Sequence, residues 1–279
     1  MYDVTIIGYG PVGAMLAALL GARGRKVLVV ERDTQVYPMP RAVHLDHEVF
    51  RLISLVNADK AVMDISRPTS AYDFETADGD LLMGFKPSKG LAPTGYPWSN
   101  LFHQPTLERA MRADVARYPN VDVRLGVEFR SYDVSQPDHV KVTLSDDPGN
   151  PVETRYLVGC DGGRSQVRRQ AGIAMDDMDF NEPWVVVDVL LAKGMDSLHD
   201  ASRQICDPHR PVTSIPIGNG RHRWEFMLLP HEADTDMTTP QMLESLITPQ
   251  LPDGISMSQI EVERCAVYTF HGVFAERWR

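Results

Sequence analysis

The sequence predicts a two-layered α/β (α+β) fold, with a Rossmann-like βαβ sheet first and a mostly antiparallel sheet after it. Three observations predict it. An apolar strand runs into "GYGPVG" close to the start of the chain, and a helical apolar run follows. A second apolar strand, "KVLVV", comes next, which makes a βαβ unit with parallel strands and a right-handed crossover. After about Asn181 strand-like runs dominate: "WVVVDVLLA", "PVTSIPI", "HRWEFMLLP" and "IEVERCAVYTF". The expected division is residues 1–180 for the dinucleotide-type region and 181–279 for the antiparallel region. Strands around 71–103 are expected to be shared with the second layer, which makes the first region discontinuous.

In chain order, Asp3–Gly8 reads as a strand, Val12–Arg23 as a helix and Lys26–Val30 as a buried strand. A turn-rich passage, "DTQVYPMP", leads to a helix around Asp46–Leu55. Ala71–Phe85 has the pattern of a hairpin around Asp78-Gly79. Thr106–Tyr118 has helical apolar spacing behind Pro105. Val121–Gly126, Phe129–Val134, Val140–Ser145 and Thr154–Val158 read as strands, and Pro240–Leu246 as the one helix among the later strands.

The 279 residues are 43% hydrophobic and 24% charged, ordinary for a globular chain, with a formal net charge of -10. That charge argues against nucleic acid or an anionic membrane as main partner. It also repels anions, so a phosphate or carboxylate site must be built locally. Cys160, Cys206 and Cys265 are widely spaced and odd in number, which fits neither a disulfide framework nor a metal site. No leader-like segment precedes the first strand, and the longest apolar stretch, Ala14 to Leu20, is far below the ~20 residues needed to span a bilayer. The expected location is the cytoplasm, with no metal and no membrane; a homodimer is left open.

The glycine cluster carries the first chemistry. Gly8 permits a tight turn, Gly10 lets a pyrophosphate approach the backbone, and Gly13 lets helix and strand pack closely; Pro11 and Val12 lie between them. The helix N-terminus adds free N–H groups and partial positive charge. Glu31 ends the second strand, where a carboxylate accepts from both ribose hydroxyls and disfavours a 2′-phosphate. This motif alone does not separate FAD from NAD. A second cluster, "YLVGCDGGRSQVRRQAG", puts Asp161-Gly162 at another strand end with Arg164, Ser165, Arg168 and Arg169 behind. It is read either as a sugar- and phosphate-facing turn or as an ordinary helix start.

With these motifs in hand, the sequence resembles the single-component flavoprotein aromatic hydroxylases related to para-hydroxybenzoate hydroxylase. "GYGPVG", Glu31-Arg32, "PRAVHLDHE", "FHQPTLERAM" and "CDGGRSQVRR" occur in that family's order. "WVVVDV", "CDPHRP" and "RHRWEFMLLP" look most like the 3-(3-hydroxyphenyl)propionate hydroxylase branch. The resemblance implies FAD, held by the glycine loop, with Glu31-Arg32 at the adenosine ribose and Arg41 near the pyrophosphate and flavin. It puts Gln104 at the ribityl chain and Asp161-Gly162 against FAD, with the arginines behind near the route of NADH or NADPH. It also implies hydroxylation of a phenolic aromatic acid with O2, through a flavin hydroperoxide. In the family a strand like "VYTFHGVFAERWR" leads to a Gly-Asp flavin motif; this sequence stops at Arg279, so a fragment of a longer enzyme or a truncated relative is expected, with a non-catalytic flavin-binding module or another flavin oxidoreductase on the same scaffold as the alternatives.

On the substrate side, the resemblance implies Arg223 near flavin and substrate, while His44 and Asp46 are placed to poise the phenol proton. Arg223 alternates with Arg221, and Glu225 and Asp188 lie within apolar strands, where each faces either solvent or a buried partner. Trp184 and Trp224 are expected in the core.

Overall fold

A computed structural model describes residues 1–86, 90–232 and 234–279. The chain opens with β1 (Tyr2–Ile7), α1 (Pro11–Gly21) and β2 (Val27–Glu31). Next come β3 (His44–Asp46), α2 (His47–Ser54), α3 (Asp59–Met63), β4 (Ser66–Pro68), β5 (Tyr72–Glu75), β6 (Leu81–Phe85), β7 (Ser99–Phe102) and α4 (Gln104–Val115). β8 (Val121–Leu125), β9 (Phe129–Asp133), β10 (Val140–Leu144), β11 (Val152–Gly159) and α5 (Gln166–Gln170) follow. The remainder is β12 (Met175–Leu191), β13 (Ser202–Ile205), β14 (Val212–Gly218), β15 (Arg221–Met227), α6 (Asp234–Met237), α7 (Pro240–Ile247) and β16 (Ile260–Ala275).

The first sheet has the order β8-β2-β1-β11-β10-β9. β8, β2, β1 and β11 run parallel, and β10 and β9 add an antiparallel edge. β2 is buried on both faces, so its apolar run has no polar alternation. Val27 and Val29 pack with Ala14, Ala17 and Ala18 of α1 and with Leu107, Met111 and Val115 of α4. Leu28 and Val30 point the other way, into Val127, Phe129, Val142 and Leu144. The small residues of α1 bring that helix close to the strands; a Cβ on Gly13 would lie 2.0 Å from the Gly8 carbonyl oxygen.

The second sheet has the order β16-β12-β15-β14-β13-β5-β6 and is antiparallel except where β13 meets β5. One face carries Val185, Val187, Val189, Trp224 and Phe226, packed with Met237, Leu243 and Ile247 of α6 and α7. Trp224 is fully buried there, as expected; Trp184 is half-buried, edge-on to Phe270. The third sheet, β3-β7-β4, is joined to β14 by a cluster of Leu101, Ile215 and Ile217 with Val43.

The hairpin read at Ala71–Phe85 is β5–β6, and it completes the second sheet, not the first. β12 starts at Met175 and runs through the position expected to divide the chain at 180. Close to it the pairing with β16 shifts register between Asp177 and Asn181, and Asp179 takes φ +56°.

Candidate cofactor and active site

β1 has β2 on one side and β11 on the other, so the chain leaves β1 in one direction and returns in the other. In parallel sheets such a reversal opens a crevice beyond the carboxyl ends of the strands. Both glycine clusters lie there, side by side, with the Cys160 amide donating to the Ile7 carbonyl at 2.7 Å. Gly8 takes φ +101°, and a Cβ on it would lie 2.3 Å from the Cys160 carbonyl oxygen. Gly10 is different: a Cβ there would meet nothing within 4 Å. Close packing thus requires Gly8 and Gly13, while the backbone at Gly10 stays bare and open at the start of α1. Val12, on its first turn, is 69% exposed.

Glu31 is aimed back at this loop. Its Oε2 accepts from the Tyr9 amide at 2.7 Å and its Oε1 from the Asp33 amide at 3.0 Å. Each carboxylate oxygen keeps a second lone pair. Arg32 points outward, 4.0 Å from Asp33. In the second cluster, Asp161 Oδ2 accepts from the Gln166 and Val167 amides at 2.7 and 3.2 Å, while its buried Oδ1 has no partner. Asp161 thus steadies the start of α5 as a helix-start residue and keeps one unpartnered acceptor; at the neighbouring Gly162 a Cβ would meet nothing within 4 Å. Arg168 is committed to the Ile173 carbonyl at 2.6 Å, and Arg164 and Arg169 are exposed.

The segment at Pro40–Ala42 is held from two sides. Gln104 is buried at the start of α4, and its Oε1 accepts from the amides of Arg41 and Ala42 at 3.0 and 2.7 Å. Its Nε2 donates to Glu108 Oε1 at 2.7 Å. Glu108, 2% exposed, lies 3.9 Å from both the Arg41 and Arg112 guanidinium groups. Arg112 in turn donates to the Tyr9 carbonyl at 3.0 and 3.2 Å and covers the Tyr9 ring. Gln104 thus shapes the Arg41 backbone with its amide, while the Arg41 side chain itself is 60% exposed.

From the other side comes Arg223. Its side chain is 3% exposed and makes a forked pair with Asp188 at 2.7 and 3.1 Å. Its remaining donors go to the carbonyls of Pro40 at 3.0 Å and Arg41 at 2.8 Å. Four of its five N–H groups are so committed, and Arg223 clamps the segment. Asp188 faces inward to it, not to solvent; Arg264 joins the same carboxylate at 3.4 Å and the Pro40 carbonyl at 2.6 Å.

Glu225, two residues beyond Arg223 on the same face of β15, is 3.8 Å from that guanidinium. Burial holds its carboxyl above the usual carboxylate range despite Arg223. The Tyr72 phenol is also pushed up, by burial and then by the nearby Glu225. His44 Nε2 sits 2.6 Å from Ser99 Oγ, and burial lowers its imidazole below the ordinary histidine value, with Asp46 pulling the other way. Asp46 itself caps α2, accepting from the Val49 amide at 2.9 Å. That bond ties the Asp46 side chain to helix geometry, and of the two side chains it is His44 that reaches β7.

Glu108, Arg112, Arg264, Ser99 and Tyr72 were not singled out by the motifs. For Glu108 and Arg112 the available signal was their place on α4, Glu108 inward and Arg112 one turn on. Among the described residues no group of three or more His, Cys, Asp or Glu could hold a metal ion. No helix among them is long and apolar enough to cross a membrane.

A family model described as "FAD binding domain" matches residues 1–279. The chain belongs to this FAD-binding family. The bare backbone at Gly10 and the unsatisfied Asp161 Oδ1 fit a dinucleotide cofactor of this kind. Relatives of this FAD-binding chain include a probable NADH-specific resorcinol 4-hydroxylase of Rhodococcus jostii, 33% identical over 99% of the chain and 52% of the relative. A 3-(3-hydroxy-phenyl)propionate/3-hydroxycinnamic acid hydroxylase of Mycobacterium sp. is 36% identical over 99% of the chain and 47% of the relative. The chain thus spans about half the length of the curated relatives it matches. Among solved structures, a p-nitrophenol 4-monooxygenase from Pseudomonas putida superposes with a TM-score of 0.86 at 22% identity, over 100% of this chain and 70% of that one. An aklavinone-11 hydroxylase with FAD and aklavinone gives 0.80 at 24%, over 100% of this chain and 55% of that one. The shared fold is that of FAD-dependent monooxygenases.

Proposed function

We propose that this chain is the FAD-binding part of a hydroxylase that acts on a phenolic aromatic acid, with NADH or NADPH as electron donor and O2 as oxygen source. The observation that carries the reading is the crevice at the ends of β1 and β11. Two glycine turns there flank an open backbone, with Glu31 bonded to the first loop and the clamped Pro40–Ala42 segment linked to the same loop through Glu108 and Arg112. When bound, FAD supplies the two-electron redox chemistry and the activation of O2 that no side chain provides.

The chain's own residues do the rest. The N–H groups at the start of α1 receive the pyrophosphate, and Gly10 lets it approach. Glu31 accepts from the adenosine ribose, with Arg32 beside it. Arg41 reaches towards the pyrophosphate from a backbone fixed by Gln104 and Arg223. Asp161 turns its spare oxygen and Gly162 its bare backbone to the middle of the cofactor. On the sheet face shared with Arg223, Glu225 holds a proton more tightly than an ordinary carboxyl, and neutral His44, backed by Ser99, exchanges one with a phenol. The three free cysteines fit a reducing, cytoplasmic setting.

The test is to load the chain with FAD, remove excess, and identify the chromophore released on denaturation. Bleaching by NADH and NADPH is then followed with and without 3-(3-hydroxyphenyl)propionate. Retained flavin, bleached faster with the phenol, is expected. Glu31→Ala removes charge-assisted bonds of roughly 1.5–3 kcal/mol each and weakens flavin binding by about tenfold or more. Recovery of nicotinamide nucleotide alone, or a flavin dissociation constant indifferent to Glu31, overturns the assignment.

A further inference from the structure

β6 is an edge strand whose Leu81, Leu82, Met83 and Phe85 are all about half exposed or more, between 48% and 59%. So much apolar surface on one short strand is unusual unless something packs there. Beside it, between β5–β6 and the β7 end of the small sheet, lies a cavity of about 410 Å³. Tyr72, Phe85 and Trp98 give it aromatic walls, Ser99 a hydroxyl and Lys86 an ammonium. The volume is in the range of small-molecule sites. Trp98 is steadied edge-to-face against His47 at 5.1 Å, and the Ser99 hydroxyl is backed by His44 at 2.6 Å.

The sheet register fixes which face this is. Phe74 lies beside Gln204, Gln204 beside Thr213, and Thr213 beside Glu225. Laterally paired residues share a face, and so do residues two apart on a strand. Tyr72 is therefore on the face of Glu225 and Arg223, the face that meets the Pro40–Ala42 segment. Lys86 lines the cavity, and no ion pair or hydrogen bond engages its ammonium among the described residues. In a chain with net charge -10, a free cation at an aromatic cavity is a local exception to a field that repels anions.

We propose that this cavity is the substrate pocket and that Lys86 selects phenols carrying a carboxylate arm over neutral diphenols. The ring lies among Tyr72, Phe85 and Trp98, its hydroxyl meets the Ser99–His44 pair, and the carboxylate meets Lys86. This rests on the hydroxylase reading and adds to it the pocket and the residue that would tell the acid from a neutral diphenol; the relatives include both a resorcinol hydroxylase and a hydroxylase of hydroxyphenyl acids.

The experiment titrates the whole chain with 3-(3-hydroxyphenyl)propionate and with resorcinol, read by quenching of tryptophan fluorescence. The acid is expected to bind at least tenfold tighter, and less tightly as salt rises. Lys86→Gln brings the ratio of the two affinities below threefold, Lys86→Arg restores it, and Trp98→Phe removes most of the quench. Equal affinities in the parent chain, a ratio unmoved by Lys86→Gln, or a quench that survives Trp98→Phe overturns the proposal. Flavin retention on the same samples separates the two readings. Retained flavin without acid preference removes this pocket and leaves the hydroxylase. An acid preference without flavin uptake removes the hydroxylase and leaves the pocket.

Discussion

Replacing Arg223 with Met removes the centre of the clamp at Pro40–Ala42. Two buried side chains, each 3% exposed, form the pair, and Asp188 is then left with only Arg264 at 3.4 Å. Removing one partner of a buried pair costs about 3–5 kcal/mol, because the other charge stays desolvated. The carbonyls of Pro40 and Arg41 lose charged donors at 3.0 and 2.8 Å as well, although Arg264 still holds Pro40. The double replacement Arg223→Met with Asp188→Leu removes the stranded charge and recovers most of that stability, since a buried pair exchanged for apolar residues is often near neutral. The two losses are separable. Urea unfolding followed by tryptophan fluorescence reads the ion pair, and trypsin cleavage after the exposed Arg41 reads the segment. Arg223→Met falls by at least about 3 kcal/mol and is cut faster at Arg41; the double variant regains stability and is still cut faster. A single variant within 1 kcal/mol of the parent, or unchanged cleavage at Arg41, would refute the clamp.

Gly13→Ala places a Cβ 2.0 Å from the Gly8 carbonyl oxygen, so α1 must move off β1; overpacking of this kind costs at least about 1–3 kcal/mol, and a lowered melting temperature with weaker FAD retention checks it. His199, bonded through Nε2 to Ser214 Oγ at 2.8 Å and through Nδ1 to the Ala201 carbonyl, is held down to about 4 by burial and then by Arg203. The unfolded chain therefore takes up the proton first, and stability falls as pH drops from 6.5 towards 4, by on the order of 3 kcal/mol in all. His222 on the same hydroxyl shifts in the same direction. Unfolding free energies of the parent and His199→Gln between pH 7 and 4 check this; parallel profiles would sink it.

Local pattern carried the reading far. β1, α1 and β2 were legible because the glycines and the apolar runs that define them are contiguous, and the Asp161 turn because it ends a strand. Arg223 was not, because a strand sequence shows alternation without saying which face is covered. The Asp188 that decides it lies on β12, opposite Arg223 in the register. β5 and β6 read as a hairpin shared with the second layer, but the strand they join, β13, lies far away in sequence and shares no motif with them. Glu108 looked like any polar helix residue until Gln104, Arg41 and Arg112 closed around it.

The parallel pairings also set a timetable for biosynthesis. Tyr2 of β1 pairs with Thr154, and Tyr72 of β5 pairs with Ser202. At about 5–20 residues per second, β1 waits roughly 8–30 s on the ribosome before its second neighbour emerges. Until then the Val4 and Ile6 strand has β2 alone, and the apolar β5–β6 hairpin has no sheet to join. Nascent chains of this protein should thus recruit chaperones at two points, and the first sheet should resist protease only once β11 has left the exit tunnel.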